Sequence, residues 1–209
     1  MIDRISNGVL LVFAKTPIPG YVKTRLIPEL GAMGAAELYK KMLHRTLDIA
    51  RQSKFNSIEL WCIPDETHPD IADCKQKYFL DVKIQEGNDL GERMWFAFER
   101  ALERYQYAVL IGCDCPELSV FDLNHACTIL KSNHDAILGP VEDGGYHLIG
   151  LRKNCRQIFT GIEWGQADVA AITRLRMKEL DWIWNELPTK WDVDSIEDIR
   201  RLQMATGAS

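Results

Sequence analysis

The 209-residue chain has no long hydrophobic run. Its N-terminal segment, MIDRISNGVLLVFAK, holds one short apolar stretch, too short to span a bilayer and without a secretory cleavage pattern. No other segment approaches spanning length, so a cytoplasmic protein with no membrane partner is expected. Positive charge is also in deficit. The 25 Lys+Arg against 30 Asp+Glu give a formal net charge of -5. That excludes a global basic field for nucleic acid or anionic lipid, although a local basic loop can still hold phosphate. The six cysteines contain no Cys-x-x-Cys pair, and Cys113 and Cys115 form a Cys-x-Cys that is not a standard zinc spacing. Without a signal segment, free thiols are expected rather than disulfides. The Walker pattern Gly-x-x-x-x-Gly-Lys and the dinucleotide fingerprint Gly-x-Gly-x-x-Gly are both missing. Internal repeats and low-complexity linkers are missing too, so a single domain over residues 1–209 is expected.

The composition, 46% hydrophobic and 26% charged, is that of a globular chain that can build its own core. Residues 9–13 form a continuous apolar run, as in a strand buried on both faces. Residues 35–53 carry Leu38, Tyr39, Met42, Leu43, Thr46, Leu47 and Ala50 at helical spacing. A second strand is predicted over 57–63 and a short third over 81–85. A helix follows over 89–105, with Leu90, Met94, Ala97, Phe98, Ala101, Leu102 and Tyr105 on its apolar face. A buried strand over 108–112 precedes a helix capped by Ser119, with Asp122 three residues on. Strands over 136–139 and 146–151, a helix over 168–180, a strand over 182–187 and a final helix opened by Ser195 complete the chain. Strands alternating with helices predict a mainly parallel, Rossmann-like α/β sheet flanked by helices, with ligands at the carboxyl ends of the strands.

Four polar clusters fall at predicted strand ends. The first is the loop after strand one, where Lys15, Lys23 and Arg25 bring three cations together and Gly20 allows close backbone approach. Phosphate chains need such cations with backbone N–H groups, although basic loops are also common on solvated surfaces. The second cluster spans 85–94. Asn88 or Asp89 can cap the next helix, and Gly87 and Gly91 leave room for a ligand at its N-terminus. Arg93 lies in the first turn, where the helix dipole disfavours a cation, so a phosphate or carboxylate partner is expected. A capped helix with a structural arginine explains the same residues. The third cluster is Asp114, just past a buried strand that ends in Gly112; such an acid is solvated, paired or metal-bound, unless it only forms a turn. Glu117 reads as structural. The fourth joins Asp143-Gly144-Gly145-Tyr146 to Asp192 and Asp194, which offer a second metal carboxylate. A hairpin turn at Asp143 and a negatively charged helix start at 192–198 are the alternatives.

Five ordered motifs carry a resemblance over nearly the whole chain: Phe-Ala-Lys-x-Pro-x-x-Gly-x-x-Lys-Thr-Arg-Leu at 13–26, Asp-Leu-Gly-Glu-Arg-Met at 89–94, Ile-Gly-x-Asp-x-Pro at 111–116, Gly-Pro-x-x-Asp-Gly-Gly-Tyr at 139–146 and Asp-Val-Asp-x-x-x-Asp at 192–198. The chain resembles the bacterial transferases named for their association with radical-SAM and selenoprotein-like domains, formerly a domain of unknown function. That family is similar to the wider glycosyltransferase-A and nucleotidyltransferase group, which includes the molybdenum-cofactor and 2-phospho-lactate guanylyltransferases. The resemblance implies a nucleotide-diphospho-sugar transferase fold with one divalent metal, Mg²⁺ or Mn²⁺. It matches Lys15, Lys23 and Arg25 to the phosphate loop, Asp114 to the metal acid, and Asp194 or Asp192 to the late acid that shares the metal. Cys113 and Cys115 stand where small polar residues such as Ser are expected, which leaves redox sensitivity open.

The expected reaction is sugar transfer from a nucleotide diphosphate sugar to a small acceptor. Metal, Lys15, Lys23 and Arg25 would neutralise the leaving diphosphate. Asp143 would orient the acceptor or act as base, Gly144 and Gly145 would keep the backbone near the sugar, and Tyr146 and Trp164 would line the acceptor side. Nucleotidyl transfer with release of pyrophosphate is the second reading, and a nucleotide-binding protein without turnover is the third. Of the six tryptophans only Trp164 and Trp191 flank the expected site, and His147 reads as structural rather than as a base.

Overall fold

The computed structural model describes residues 8–206. Strand β1 (Val9–Lys15) is followed by a 3-10 turn (Thr24–Leu26), helix α1 (Ile27–Gln52) and strand β2 (Ser57–Ile63). Then come α2 (Pro69–Tyr78), β3 (Asp81–Ile84), α3 (Leu90–Leu102), β4 (Ala108–Ile111) and α4 (Val120–Lys131). Strands β5 (Ala136–Pro140) and β6 (Tyr146–Leu151), helix α5 (Val169–Glu179), strand β7 (Trp184–Glu186) and helix α6 (Ile196–Thr206) complete the order. All seven strands form one sheet in the order β3-β2-β1-β4-β6-β5-β7. The pairs β1–β2, β2–β3, β1–β4 and β5–β7 are parallel, and β6 is antiparallel to both β4 and β5. Every strand but β6 therefore ends at one edge, and β6 starts there with Tyr146 and His147. The expected Rossmann-like, mainly parallel α/β sheet is what forms.

Alternation along β1 divides the core. Leu10, Val12 and Ala14 face a cluster with Leu43 and Leu47 of α1, Ile71 of α2 and Leu123 of α4. Val9, Leu11 and Phe13 face Met94, Ala97 and Phe98 of α3 and Ala170 and Met177 of α5. Strands covered on both faces lose their polar alternation, which is why 9–13 reads as an unbroken apolar run. Helix α6 adds a smaller cluster in which Trp191 and Val193 pack on Met42, with Ile199 and Leu202 beside them.

Helix α1 begins eight residues before its predicted start at 35. Its first turn is set off by Gly31, whose backbone (φ 67, ψ 163) is non-helical and open to glycine. Helix α2 has no counterpart in the sequence expectation. Only Ile71, Cys74 and Tyr78 of its ten residues are buried, too narrow a stripe to show against its charges. Among the described residues, no helix is long and apolar enough to cross a membrane.

Candidate active site

The carboxyl edge of the sheet opens into a cavity of about 650 Å³. Its floor is the end of β1 and β4, and the loops after β1, β3, β4, β5 and β7 wall it. A smaller concavity of about 380 Å³ lies at the opposite edge, lined by Gln106, Asn133, Asp135, Arg152 and Lys153. There Asp135 is already paired with Lys153 at 2.6 Å and accepts from the Ile183 backbone N–H, and Arg152 donates to the Ser132 carbonyl, so its charged groups have partners.

Three acids meet in the large cavity. Asp114 follows β4, and its backbone carbonyl accepts from Val193 N–H at 3.0 Å. That bond stitches segment 192–194 to the end of β4 and brings Asp192 and Asp194 beside Asp114. The segment is held from the other side by Asp198, whose Oδ2 accepts from the backbone N–H groups of Asp194 (3.0 Å) and Ser195 (2.7 Å). The Ser195–Asp198 spacing is thus a helix cap that also fixes Asp194.

One cation enters this group. Lys23 adopts a left-handed backbone (φ 46, ψ 44), unusual for a residue with a Cβ. Its side chain is 5% exposed, and Nζ lies 2.5 Å from Asp114 Oδ1 and 3.0 Å from Asp194 Oδ1. The Asp194 contact is a hydrogen bond, whereas the Asp114 contact is a close ion pair off the hydrogen-bond line. Burial alone would lower the Lys23 pKa, but Asp114 and Asp194 outweigh it and hold it above the usual lysine value. Arg25 adds a looser contact, 3.7 Å from Asp194 Oδ2, and is itself 76% exposed. Asp192 gets no cation. Its Oδ1 is buried without a partner, and burial, then the charges of Asp114 and Asp143, push its carboxyl up to about 7.

The cations and the acceptor-side residues line the same cavity. On the β3-β2-β1 side, Lys15, Gln85, Leu90, Arg93 and Met94 line the cavity. Arg93 Nε donates to the Gly87 carbonyl at 3.1 Å, so its first partner is a backbone carbonyl rather than the carboxylate or phosphate expected. On the β6-β5-β7 side are Asp143, Gly145, Tyr146, His147, Trp164 and Asp192. Asp143 is exposed, and its Oδ1 accepts from the Gly145 N–H at 3.0 Å, the turn role weighed for it in the sequence.

Four expected residues do not line the cavity. Asp89 is the N-cap of α3 and accepts from Glu92 N–H at 2.8 Å. At Gly91 a Cβ would meet the Phe159 carbonyl at 2.5 Å and the Trp164 indole at 2.8 Å, so the missing side chain admits Trp164, not a ligand. At Gly144 (φ +89) a Cβ would strike the Ala167 carbonyl, so that glycine serves a crossing of two chain segments. Gly20 (φ +87) turns the loop and has open space around it. Trp191 is also displaced from its expected place: it is buried in the α6 cluster beneath the Arg201 guanidinium, 4.3 Å from the ring centre.

Two cavity residues carry roles that sequence reasoning had not assigned. Gln85 donates its amide N–H groups to the carbonyls of Ala14 (3.1 Å) and Trp61 (2.9 Å), closing the ends of β1 and β2. Tyr39 is buried, and its hydroxyl accepts from Lys15 N–H at 2.8 Å. Both link residues far apart in sequence, which no local pattern announces. The thiols are quiet: burial pushes Cys115 up to about 12 and Cys113 higher still, so neither carries the thiolate that redox sensitivity needs.

Residues 46–166 match a family described as an uncharacterized protein conserved in bacteria, DUF2064. The chain belongs to this family. It is 33% identical to a candidate nucleotide-diphospho-sugar transferase of Desulfovibrio desulfuricans G20, over 98% of this chain and 90% of that one, with a TM-score of 0.89. Two more distant structures share the fold. One is a CMP:2-keto-3-deoxy-manno-octonic acid synthetase complexed with CTP, at 8% identity and TM-score 0.63 over 97% of this chain and 99% of that one. The other is glucosyl-3-phosphoglycerate synthase of Mycobacterium tuberculosis with Mn²⁺, uridine diphosphate and glucosyl-3-phosphoglycerate, at 8% identity and TM-score 0.55 over 96% and 77%. No curated protein matches the chain. The fold is the Rossmann-like, nucleotide-diphospho-sugar transferase (GT-A) type.

Proposed function

We propose that the chain is a metal-dependent transferase that takes a nucleotide diphosphate sugar as donor and passes the sugar to a small acceptor. The observation that carries the reading is the convergence of Asp114 and Asp194 on one buried cation, Nζ of Lys23, at the carboxyl edge of the sheet. Two carboxylates already aimed at one positive charge fit a divalent ion, Mg²⁺ or Mn²⁺, whose remaining positions go to substrate phosphates and water. Among the described residues no group of three or more His, Cys, Asp or Glu is placed to hold a metal ion by itself, so substrate oxygens and water would have to complete the site. Asp114 and Asp194 would hold the ion, with Asp192 behind them. When bound, the ion supplies neutralising charge to the leaving diphosphate.

The chain's own groups do the rest. Lys15, Lys23 and Arg25 bind the diphosphate, and Arg93 adds positive charge on the nucleoside flank, beside the apolar Leu90 and Met94. Tyr146, Trp164 and Gly145 shape the acceptor flank, and Asp143 accepts the hydrogen bond of the acceptor hydroxyl. The organisation over 1–209 is read as a single domain and the location as cytoplasmic. The five motifs also support membership of the radical-SAM- and selenodomain-associated branch.

Nucleotidyl transfer is the second reading. Lys23-Thr24-Arg25-Leu26 matches phospho-lactate-type enzymes, and the fold match to a CTP-bound synthetase spans nearly both chains. A thermal-shift screen of nucleotides and sugar nucleotides, with and without Mg²⁺ or Mn²⁺, names the donor because binding raises apparent stability by mass action. Product analysis then separates the two readings. Nucleoside diphosphate from a sugar nucleotide supports the first, and pyrophosphate from a nucleoside triphosphate the second. Nucleotide binding indifferent to chelator, with no product, would sink both in favour of a non-catalytic binder.

A further inference from the structure

We propose that Lys23 is a resident counter-ion which competes with the divalent metal for Asp114 and Asp194, so that the free protein binds metal weakly until the ammonium is drawn away. The inference rests on the reading that those two acids form the metal site.

Three observations carry it. First, the Lys23 ammonium lies within ion-pair distance of both Oδ1 atoms, at 2.5 and 3.0 Å, in the space where a bridging ion must sit. Two cations cannot share that space: at contact distance their repulsion is several times thermal energy even at an effective dielectric of about 20. Secondly, Lys23 is not a surface lysine that has drifted inward. Its side chain is 5% exposed and its backbone is held in a left-handed conformation, so the placement is built into the loop. Thirdly, that loop opens onto the cavity that also holds Lys15 and Arg25. An incoming diphosphate offers the ammonium oxygen partners a short swing away, and leaving the acids then costs it little. Phosphate and metal thus enter together, each making room for the other. The lysine keeps the two carboxylates from repelling each other while the site is idle.

Reciprocal linkage makes this measurable without turnover. Binding of Mn²⁺ alone, followed by electron paramagnetic resonance of the free ion, should be roughly 5- to 150-fold tighter in Lys23→Met than in the wild type, the usual span of such couplings. Lys23→Gln should behave alike, and Asp114→Asn placed on either variant should remove the binding. Equal or weaker Mn²⁺ binding by both lysine variants, with Asp114→Asn still abolishing it, would overturn the counter-ion role and leave the metal site standing. No Mn²⁺ binding by any variant would overturn both. Should neither lysine variant fold, the wild type carries the test. Saturating Mn²⁺ should speed acylation of the Lys23 amine, read by mass spectrometry of its peptide, by several-fold, and an unchanged rate would refute the competition.

Discussion

Glu59 and Asp114 both carry negative charge into the interior of the same sheet, but in opposite surroundings. Glu59 sits midway along β2 with its side chain 3% exposed. One oxygen meets Lys83 at 2.9 Å and Arg104 more closely, and the other accepts from the Trp61 indole N–H at 3.0 Å. One acid has two cations and a neutral donor, so every oxygen is used. At the carboxyl edge, Asp114 and Asp194 share a single buried cation, and Asp192 has no ion pair and keeps a buried oxygen without a partner. Buried polar groups in folded proteins are nearly always satisfied, and the exceptions gather where a ligand is awaited. Saturation at Glu59 marks a structural tie, and under-neutralisation at Asp114 marks a binding site.

The sharpest break of this comparison is Asp114→Asn. If the acid serves ligand rather than fold, turnover in the product-release assay falls at least about 100-fold, the loss usual for one electrostatic group in a reacting site. The melting temperature should fall only slightly, because the buried Lys23 loses one acid but keeps its hydrogen bond to Asp194. A variant that keeps its activity removes Asp114 from the mechanism, and one that unfolds moves it into the class of Glu59.

Glu59→Ala should invert the pattern. It strands the Trp61 N–H and leaves Lys83 and Arg104 without their acid. Those cations are 26% and 43% exposed and reach water, so the loss should be about 2 kcal/mol rather than the larger cost of a sealed pair. Chemical denaturation measures it, and nucleotide-induced thermal shifts should be unchanged. A variant as stable as the wild type would mean that the network is idle.

These two clusters also show what the sequence could tell. Strand β2 was legible to the residue, because Ile58, Leu60, Trp61 and Ile63 make Ser57–Ile63 a dense apolar stretch despite Glu59. The capping box at Ser119 was legible because its partners lie three residues apart. Asp114 stood out as an acid directly after a buried strand. Glu59 did not, since nothing local says whether an acid inside an apolar strand turns to a cation or to water. The Lys23–Asp194 contact joins residues 171 apart, so the loop read as three cations with no sign that Lys23 is spoken for and that Arg25 leans on the same acid. Gly91 failed differently. Its place at a helix start suggested a ligand, and the space is filled by Trp164, whose arrival no spacing rule foretells.

A third buried ionisable group extends the comparison to one that has neither cations nor ligand. His147 is 5% exposed, both ring nitrogens lack partners, and burial pulls its pKa down to about 4. In the unfolded chain it takes up a proton as pH falls through about 6.5, while the folded state resists until about 4. Its contribution is therefore complete above pH 6.5 and is lost on acidification, by about 2 kcal/mol at pH 5. Between pH 7.5 and 5 the wild type should lose that much more stability than His147→Leu in denaturant titrations. Parallel losses would show that His147 has a partner in solution and titrates normally.

The smallest effect is the most direct probe of under-neutralisation. Asp192→Asn keeps the shape of the side chain and removes one of three crowded charges. Lys23 is committed to the other two acids, so no cation loses its partner, and the neutral amide is no longer repelled by the charges of Asp114 and Asp143, which act on this position. In chelator-treated protein at pH 8 the variant should be more stable than the wild type by roughly 1 kcal/mol, the gain common when a site kept for function is relaxed. Thermal or denaturant unfolding reads it. Destabilisation instead would mean that Asp192 has a compensating partner in solution, and the acids at the carboxyl edge would then be as saturated as Glu59 and no longer point to a missing ligand.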